Sequence, residues 1–337
     1  MTLKEIAELA GVSVASVSNV INGNFNKVSR ETRERIEKII AENDYHPNAA
    51  ARILSTQKSR IIILVLPHIG AYFTFNSNPY YGDLVAEIEK YLRERDYCLM
   101  VRCVDNCSEI VPVISSWNAD GAIFAGVSSD EIKEIRSNLH CPAVFIDSYC
   151  EEEGVACVGI NDYRGGYMSA IHLLNNGHTN IAFAAPKIGG EGVIHERFMG
   201  FCDACRERGV SISGEDIFEV DAILSNSIVA GQDIAFAPKK YTAVSVMSDV
   251  SACGIITGLA RAGVRVPEDI SVVGFDNLSM SKMMVPRLTT ISQNIEWKAR
   301  RAGDLLFEMI TTGASLTVCE QLSPELEDRD TVKNIVV

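Results

Sequence analysis

Three short apolar stripes at helical spacing open the chain, and from residue 60 the pattern changes to short β-rich runs alternating with amphipathic helices. Leu3, Ile6, Ala7 and Ala10 form the first stripe. Thr2-Leu-Lys-Glu5 introduces it as a capping box, and Gly11 ends it, free to take the left-handed conformation. Ser13 is placed to cap a second short helix whose buried side is Val14, Val17, Val20 and Ile21. Ser29 is placed to cap a third, in which Arg33, Arg35 and Lys38 surround Ile36, Ile39 and Ile40. Two short helices joined by a glycine turn, with a third behind them, make a helix-turn-helix arrangement.

Beyond residue 60 one series of strands reads as 61–66, 98–104, 122–125, 144–146 and 155–160, and another as 181–184, 218–220, 243–247 and 271–275. Helical stretches lie between them at 84–95, 166–175, 197–208, 252–262 and 299–311. Alternating strands and helices predict parallel sheets covered on both faces, so the fold class is α/β: a small all-α headpiece followed by two doubly wound lobes. Open sheets of this kind place ligands at the carboxyl ends of their strands, and two facing lobes make a cleft.

With 337 residues the chain exceeds what one hydrophobic core usually serves, in keeping with several domains. Hydrophobic residues make up 47% and charged residues 22%, which excludes wholesale disorder. The net charge of −13 argues against a protein that coats nucleic acid or an anionic membrane with its whole surface. That charge is segregated: residues 1–60 carry nine Lys/Arg against seven acids, an excess of two positive charges, which leaves −15 for the remainder. The N-terminus carries Lys4, Glu5 and Glu8 and so lacks the apolar core of a secretory signal. The longest aliphatic run, Ile61–Leu66, is far short of a membrane span. Ten cysteines, all beyond residue 90, read as small core residues of a reducing compartment, so the expectation is a cytoplasmic protein with no membrane partner.

On the second helix the outward face carries Ser13, Ser16, Ser18, Asn19 and Asn22, short uncharged groups suited to phosphate oxygens and base edges. A helical domain that only binds other proteins has the same periodicity, but its solvated face more often carries Glu and Lys. Pro47 then suits the first turn of a short helix, Asn48-Ala-Ala-Ala-Arg-Ile-Leu54, which read alone is a linker.

TLKEIAELAGVSVASVSNVING, VSRETRERI and YHPNAAARIL, in that order, closely resemble the DNA-binding headpiece of the LacI/GalR family of bacterial transcription regulators. The resemblance assigns base reading to Val14, Ala15 and Asn19 and backbone contact to Ser13, Ser16 and Asn22. Val14 and Ala15 offer only apolar contact, while Asn19 suits adenine. The helix after Pro47 matches the family's hinge helix, which implies DNA contact by Asn48, Ala51, Arg52 and Leu54, with Leu54 wedged into the minor groove. The boundaries that follow are 1–46 for the headpiece, 47–59 for hinge and linker, and 60–337 for the sensor. Within the sensor one lobe takes residues 60–160 and 290–321, the other 161–289 and 322–337.

The sensor resembles the family's periplasmic-binding-protein-like domain through NPYYGDLVAEIEKYLRERDY, VGINDYRGGYMSAIHLLNNGHTNIAF, ERFMGF, VRVPEDISVVGFDN, PRLTTISQ and LSPELEDRDT. It implies effector contacts at Asp147, Arg197, Asp276 and Gln293, where strands give way to loops, and a small-molecule effector of sugar or nucleobase type, with a sugar favoured. Asn161-Asp162 is open between an effector contact and the turn where the chain crosses between lobes. Ser248-Asp249 stands where the family usually has Asn-Asp, leaving Ser248 as the candidate contact there. An expanded loop, 68–78, adds Tyr72, Phe73 and Phe75 to Tyr80 and Tyr81, aromatics that either stack on a ligand or cover the lobe.

Catalytic and metal motifs are missing: Cys202 and Cys205 form a lone CxxC within a helical run, and the sequence has no P-loop, no dinucleotide fingerprint and no nucleophile elbow. The expectation is therefore no enzyme, no cofactor and no metal, but a homodimeric, ligand-responsive repressor of a pseudo-palindromic operator. A transporter's solute-binding protein would carry an export signal and no headpiece; a sugar-modifying enzyme would turn over a sugar that binds. Asn19→Ala should relax specificity at one base pair of each half-site, and a binding profile over all operator substitutions with no altered position would defeat that assignment.

Overall fold

Burial of the three N-terminal stripes against one another builds the headpiece core, in which Ile6, Ala7, Ala10, Val17, Val20 and Ile36 are buried. The computed structural model describes residues 1–21, 23–45, 58–67, 78–150, 152–221 and 223–336, and divides into two units, 1–59 and 60–337. Helix α1 (Leu3–Ala10) opens on the capping box, with the Glu5 N–H donating to Thr2 Oγ1 at 3.3 Å and the Thr2 N–H to the Glu5 carboxylate at 2.7 Å. Gly11 closes it at φ 61°. Helix α2 (Val14–Ile21) starts where the Ser16 N–H donates to Ser13 Oγ at 3.2 Å, and α3 (Arg30–Glu42) where Ser29 caps the Thr32 N–H. One stripe residue is corrected: Val14 is 44% exposed, because the first turn of α2 projects beyond the core that Val17 and Val20 enter.

Two six-stranded sheets make up the second unit. The first contains β1 (Ile61–Pro67), β2 (Cys98–Val104), β3 (Gly121–Ala125), β4 (Ala143–Ile146), β5 (Ala156–Ile160) and β11 (Val318–Leu322). They are parallel throughout, in the order β11-β5-β4-β3-β1-β2. The second holds β6 (Ile181–Ala185), β7 (Ile217–Glu219), β8 (Ala243–Val246), β9 (Ser271–Asp276), β10 (Thr289–Ser292) and β12 (Glu325–Glu327). Its order is β12-β10-β9-β8-β6-β7, with β12 alone antiparallel. Each sheet repeats the doubly wound pattern in which the chain steps from its first strand to the second at one edge and then reverses to the other side of the first, and such a switch point is where these folds open a ligand crevice.

The first lobe carries α4 (Pro79–Arg93), α5 (Val111–Ser116), α6 (Ser129–Asn138) and α12 (Ile295–Thr312). The second carries α7 (Asp162–Asn175), α8 (Val193–Glu207), α9 (Leu224–Phe236), α10 (Asp249–Arg261) and α11 (Ser279–Met283). The chain crosses between lobes three times, after β5, after β10 and after β11. Residues 290–292 belong to the second lobe and not to the first, because β10 pairs with β9 and β12. Leu322 is likewise the last residue of β11, paired with Ile160 in the first sheet. The core under the first sheet takes in Val250 and Leu278 of the second lobe, so the lobes also share an apolar contact.

Glycines bring α7 and α8 together. A Cβ on Gly166 would lie 1.8 Å from the Arg197 carbonyl oxygen, and one on Gly200 would lie 1.9 Å from that of Tyr163. This backbone-to-backbone packing sets Arg197 on α8 against Asp162 at the start of α7. Gly200→Ala should destabilise the sensor by about 1–3 kcal/mol or more through overpacking, read as a lower urea midpoint with an unchanged slope.

Candidate functional site

Four of the expected effector residues, Tyr80, Asp147, Asp276 and Gln293, are drawn together by a residue the sequence reading missed. Lys298, in the first turn of α12, is fully buried and directs its ammonium between the lobes. It donates to Asp147 Oδ1 and to Gln293 Oε1, each at 2.5 Å, and to the Tyr80 hydroxyl at 3.2 Å. The Tyr80 hydroxyl in turn donates to Asp147, and the Gln293 amide donates to Asp276 Oδ1 at 2.5 Å. One unbroken hydrogen-bond chain thus runs from α4 and the end of β4, through Lys298, to the end of β9 in the other lobe. A signal for Lys298 existed: it lies at helical spacing with Ala302, Leu305 and Met309, so a charge stands on the buried stripe of its helix.

Arg197 forms a second buried cluster. Its Nε donates to Asp162 Oδ1 at 2.7 Å, its Nη1 donates to the Met247 carbonyl at 3.1 Å, and its guanidinium lies 3.7 Å from the Phe275 ring centroid. Tyr149 donates its hydroxyl to the other oxygen of Asp162. Asn161 caps α7 by accepting the Arg164 N–H at 2.8 Å, and its own N–H donates to Leu322 at 2.9 Å, which makes the Asn161-Asp162 pair both a crossing turn and an anchor for Arg197. Ser248 stands apart from both clusters: it caps α10, accepting the Ser251 N–H at 3.1 Å and donating to the Ser251 hydroxyl at 2.9 Å. Asp249, its neighbour, is buried and braces the turn after β9, accepting from the Leu278 N–H and the Thr290 hydroxyl. Tyr81 packs edge-on to Tyr80, centroids 5.4 Å apart, and is buried in the first lobe.

Two acids of the site hold unfavourable backbone conformations, Asp147 at φ 54° and Asp276 at φ 121°. Such outliers persist where surrounding contacts fix the side chain, and they concentrate at binding sites. Burial, reinforced by Asp147, pushes the Tyr80 hydroxyl well above its ordinary value, so Tyr80 remains a donor. Burial lowers and Asp162 and Asp276 raise Arg197, with a net upward shift.

In the headpiece, Ser13, Val14 and Ala15 are exposed at the start of α2, while Ser16 and Asn19 are half-buried on the same helix. The Ser13 and Ser16 hydroxyls lie 3.0 Å apart. Asn22, Asn48, Ala51, Arg52, Leu54 and the aromatics at 72, 73 and 75 lie outside the described residues. Among the described residues no cluster of ligands suited to a metal ion is found, and no helix is long and apolar enough to cross a membrane.

The cleft leaves a titration signature. Burial lifts the Asp276 carboxyl to about 6, against the opposing pull of Arg197 and Gln293. The folded sensor therefore holds this proton more tightly than the unfolded chain, and the contribution of Asp276 to stability falls as pH rises from about 4 through about 6. Asp276→Asn should gain stability relative to the parent across that interval, measured by urea unfolding at successive pH values. A difference independent of pH would defeat the assignment.

Residues 2–48 match the model of bacterial regulatory proteins of the lacI family, and residues 170–332 match a periplasmic binding protein-like domain. The HTH-type transcriptional repressor PurR of Vibrio vulnificus is 30% identical over 342 residues, covering 99% of both chains. The HTH-type transcriptional regulator DegA of Bacillus subtilis is 35% identical over 308 residues, covering 88% of this chain and 87% of DegA. Among solved structures, a lac repressor dimer bound to operator and the anti-inducer ONPF superposes with a TM-score of 0.85 at 24% identity, over 99% of both chains. A complex of the regulator CelR with cellobiose gives 0.73 at 25%, over 98% of this chain and 99% of CelR. The chain belongs to the LacI/GalR family and is a ligand-responsive, DNA-binding transcriptional regulator rather than an enzyme.

Proposed function

We propose that the effector is a sugar-like polyhydroxylated molecule held between the lobes by Tyr80, Asp147, Arg197, Asp276 and Gln293, with Lys298 as a sixth contact. The observation that carries this reading is the Lys298-centred chain, in which donors and acceptors alternate across the cleft. A hydroxyl both donates and accepts, so successive hydroxyls of a pyranose can replace the internal partners one by one and leave no buried charge unpaired. The cellobiose in CelR and the ribose bound to an Enterococcus faecium LacI-family regulator support a sugar in this fold. Tyr80 supplies the apolar face on which a sugar ring rests.

On the DNA side, Ser13, Val14, Ala15, Ser16 and Asn19 enter the major groove of a pseudo-palindromic operator, one copy of the headpiece to each half-site of a homodimer. We assign the coupling of the two ends to residues 47–59, the stretch that the family resemblance reads as hinge helix and linker. A ligand that prefers one arrangement of the lobes shifts the population toward it, and operator affinity follows. The small positive excess of residues 1–60 against −15 beyond them concentrates attraction for phosphate at the N-terminal end.

A thermal-shift screen of sugars, nucleosides and their phosphates tests the effector. A ligand present at about 100 times its Kd stabilises by about 2.7 kcal/mol, which displaces the unfolding midpoint by several degrees. The expected hits are neutral sugars, with the shift abolished in Arg197→Ala and weakened at least tenfold in affinity in Lys298→Met. Stabilisation by nucleosides alone overturns the sugar assignment, and an undiminished shift in both variants overturns the site.

A further inference from the structure

Strand β11 forms the edge of the first sheet and runs parallel to β5 in a register that sets Cys319 beside Cys157. Paired residues on adjacent parallel strands point to the same face. Such strands lie about 4.8 Å apart, inside the range of about 4.4–6.8 Å between Cα atoms that a disulfide spans. Cys319 lies near enough to help raise the Cys157 thiol, which itself lies 3.9 Å from the Cys150 carbonyl. Cys157 and Cys319 are both free thiols, neither in a disulfide. Cys157 is buried, whereas Cys319 is exposed and lines an open cavity of about 490 Å³ with Cys150 and Lys133. One sulfur of the pair is therefore open to a small solute while the other waits behind it.

We propose that Cys157 and Cys319 are a peroxide-sensitive dithiol that oxidises to a cross-strand disulfide at the hinge of the sensor. The Cys319 thiolate attacks the O–O bond of a hydrogen peroxide molecule, forming a sulfenic acid and releasing hydroxide, which is protonated to water. The Cys157 sulfur then attacks the sulfenic sulfur. Its proton leaves with the sulfenic hydroxyl as a second water, so the two thiols have lost two electrons and two protons to the peroxide. Burial pushes the Cys157 thiol up to about 12, which makes Cys319 the thiol that meets the oxidant.

The location gives the bond a consequence. β5 and β11 are two of the three strands from which the chain crosses between lobes, and the Asn161 N–H joins them at the crossing through the Leu322 carbonyl, 2.9 Å away. A covalent tie three residues before each strand ends makes them move as one. It also closes a long loop of the unfolded chain, which stabilises the folded sensor.

Full-length protein treated with hydrogen peroxide, alkylated and digested tests the proposal by mass mapping. The expected product is a Cys157–Cys319 linked peptide, lighter than its two parts by two hydrogens, lost on treatment with dithiothreitol and absent from Cys319→Ser. Oxidised protein should also show a higher urea midpoint than reduced protein, with no such rise in Cys319→Ser. Cys319 recovered only as sulfinic or sulfonic acid, a link from Cys150 instead of Cys157, or a pair still reduced after other thiols have oxidised would each overturn it.

Discussion

A fully buried ammonium needs acceptors on every side, because an unpaired charge in a protein interior costs several kcal/mol. Lys298 imposes that requirement on the middle of the sensor, and the surrounding structure is arranged to meet it. Asp147 turns into a left-handed conformation at the end of β4 to reach it; Tyr80 is delivered by the first turn of α4; Gln293 sits in the crossing that follows β10. Gln293 then hands the polarity on to Asp276 in the other lobe. Arg197 plays a parallel part with Asp162 and the Met247 carbonyl, so Lys298 and Arg197 are both paired within the protein itself.

That self-sufficiency explains how a site can be both buried and responsive. Removing a partner from such a network without replacing it is costly, whereas exchanging one hydrogen-bonding group for another is nearly neutral. In the proposed effector site, a ligand bearing the right alternation of donors and acceptors would be distinguished from one that leaves Lys298 or Asp276 unpaired. Specificity comes from the penalty for misfit as much as from the contacts of a good fit.

Much of this was legible in the sequence. The capping box at Thr2–Glu5, the glycine stop at Gly11 and the serine caps at Ser13 and Ser29 all stand as local rules dictate, since such contacts depend only on residues three or four apart. The apolar strands β1, β3, β8 and β9 were equally plain. The strands that escaped periodicity are β10, Thr-Thr-Ile-Ser, β11, Val-Cys-Glu-Gln-Leu at a sheet edge, and β12, only three residues long. Placing β10 required knowing which sheet it extends, a long-range pairing that no local pattern encodes. Ser248 stands in the structure as an N-cap, a role that a serine ahead of a helix readily takes. Lys298 escaped because its stripe was read from Ala299 onward, one residue too late.

The three crossings carry a consequence for how the molecule is made. Neither lobe is a continuous stretch of chain: α12 and β11, which complete the first lobe, follow β10 of the second. During synthesis the ribosome delivers β1 to β5 first, yet that sheet lacks its edge strand and a covering helix until nearly the whole second lobe has emerged. The early sheet must wait with an open edge and exposed apolar surface, the condition under which nascent chains aggregate or recruit chaperones. The final closure of both lobes is thus a late, nearly simultaneous event, set by the segment that carries α12, β11 and β12.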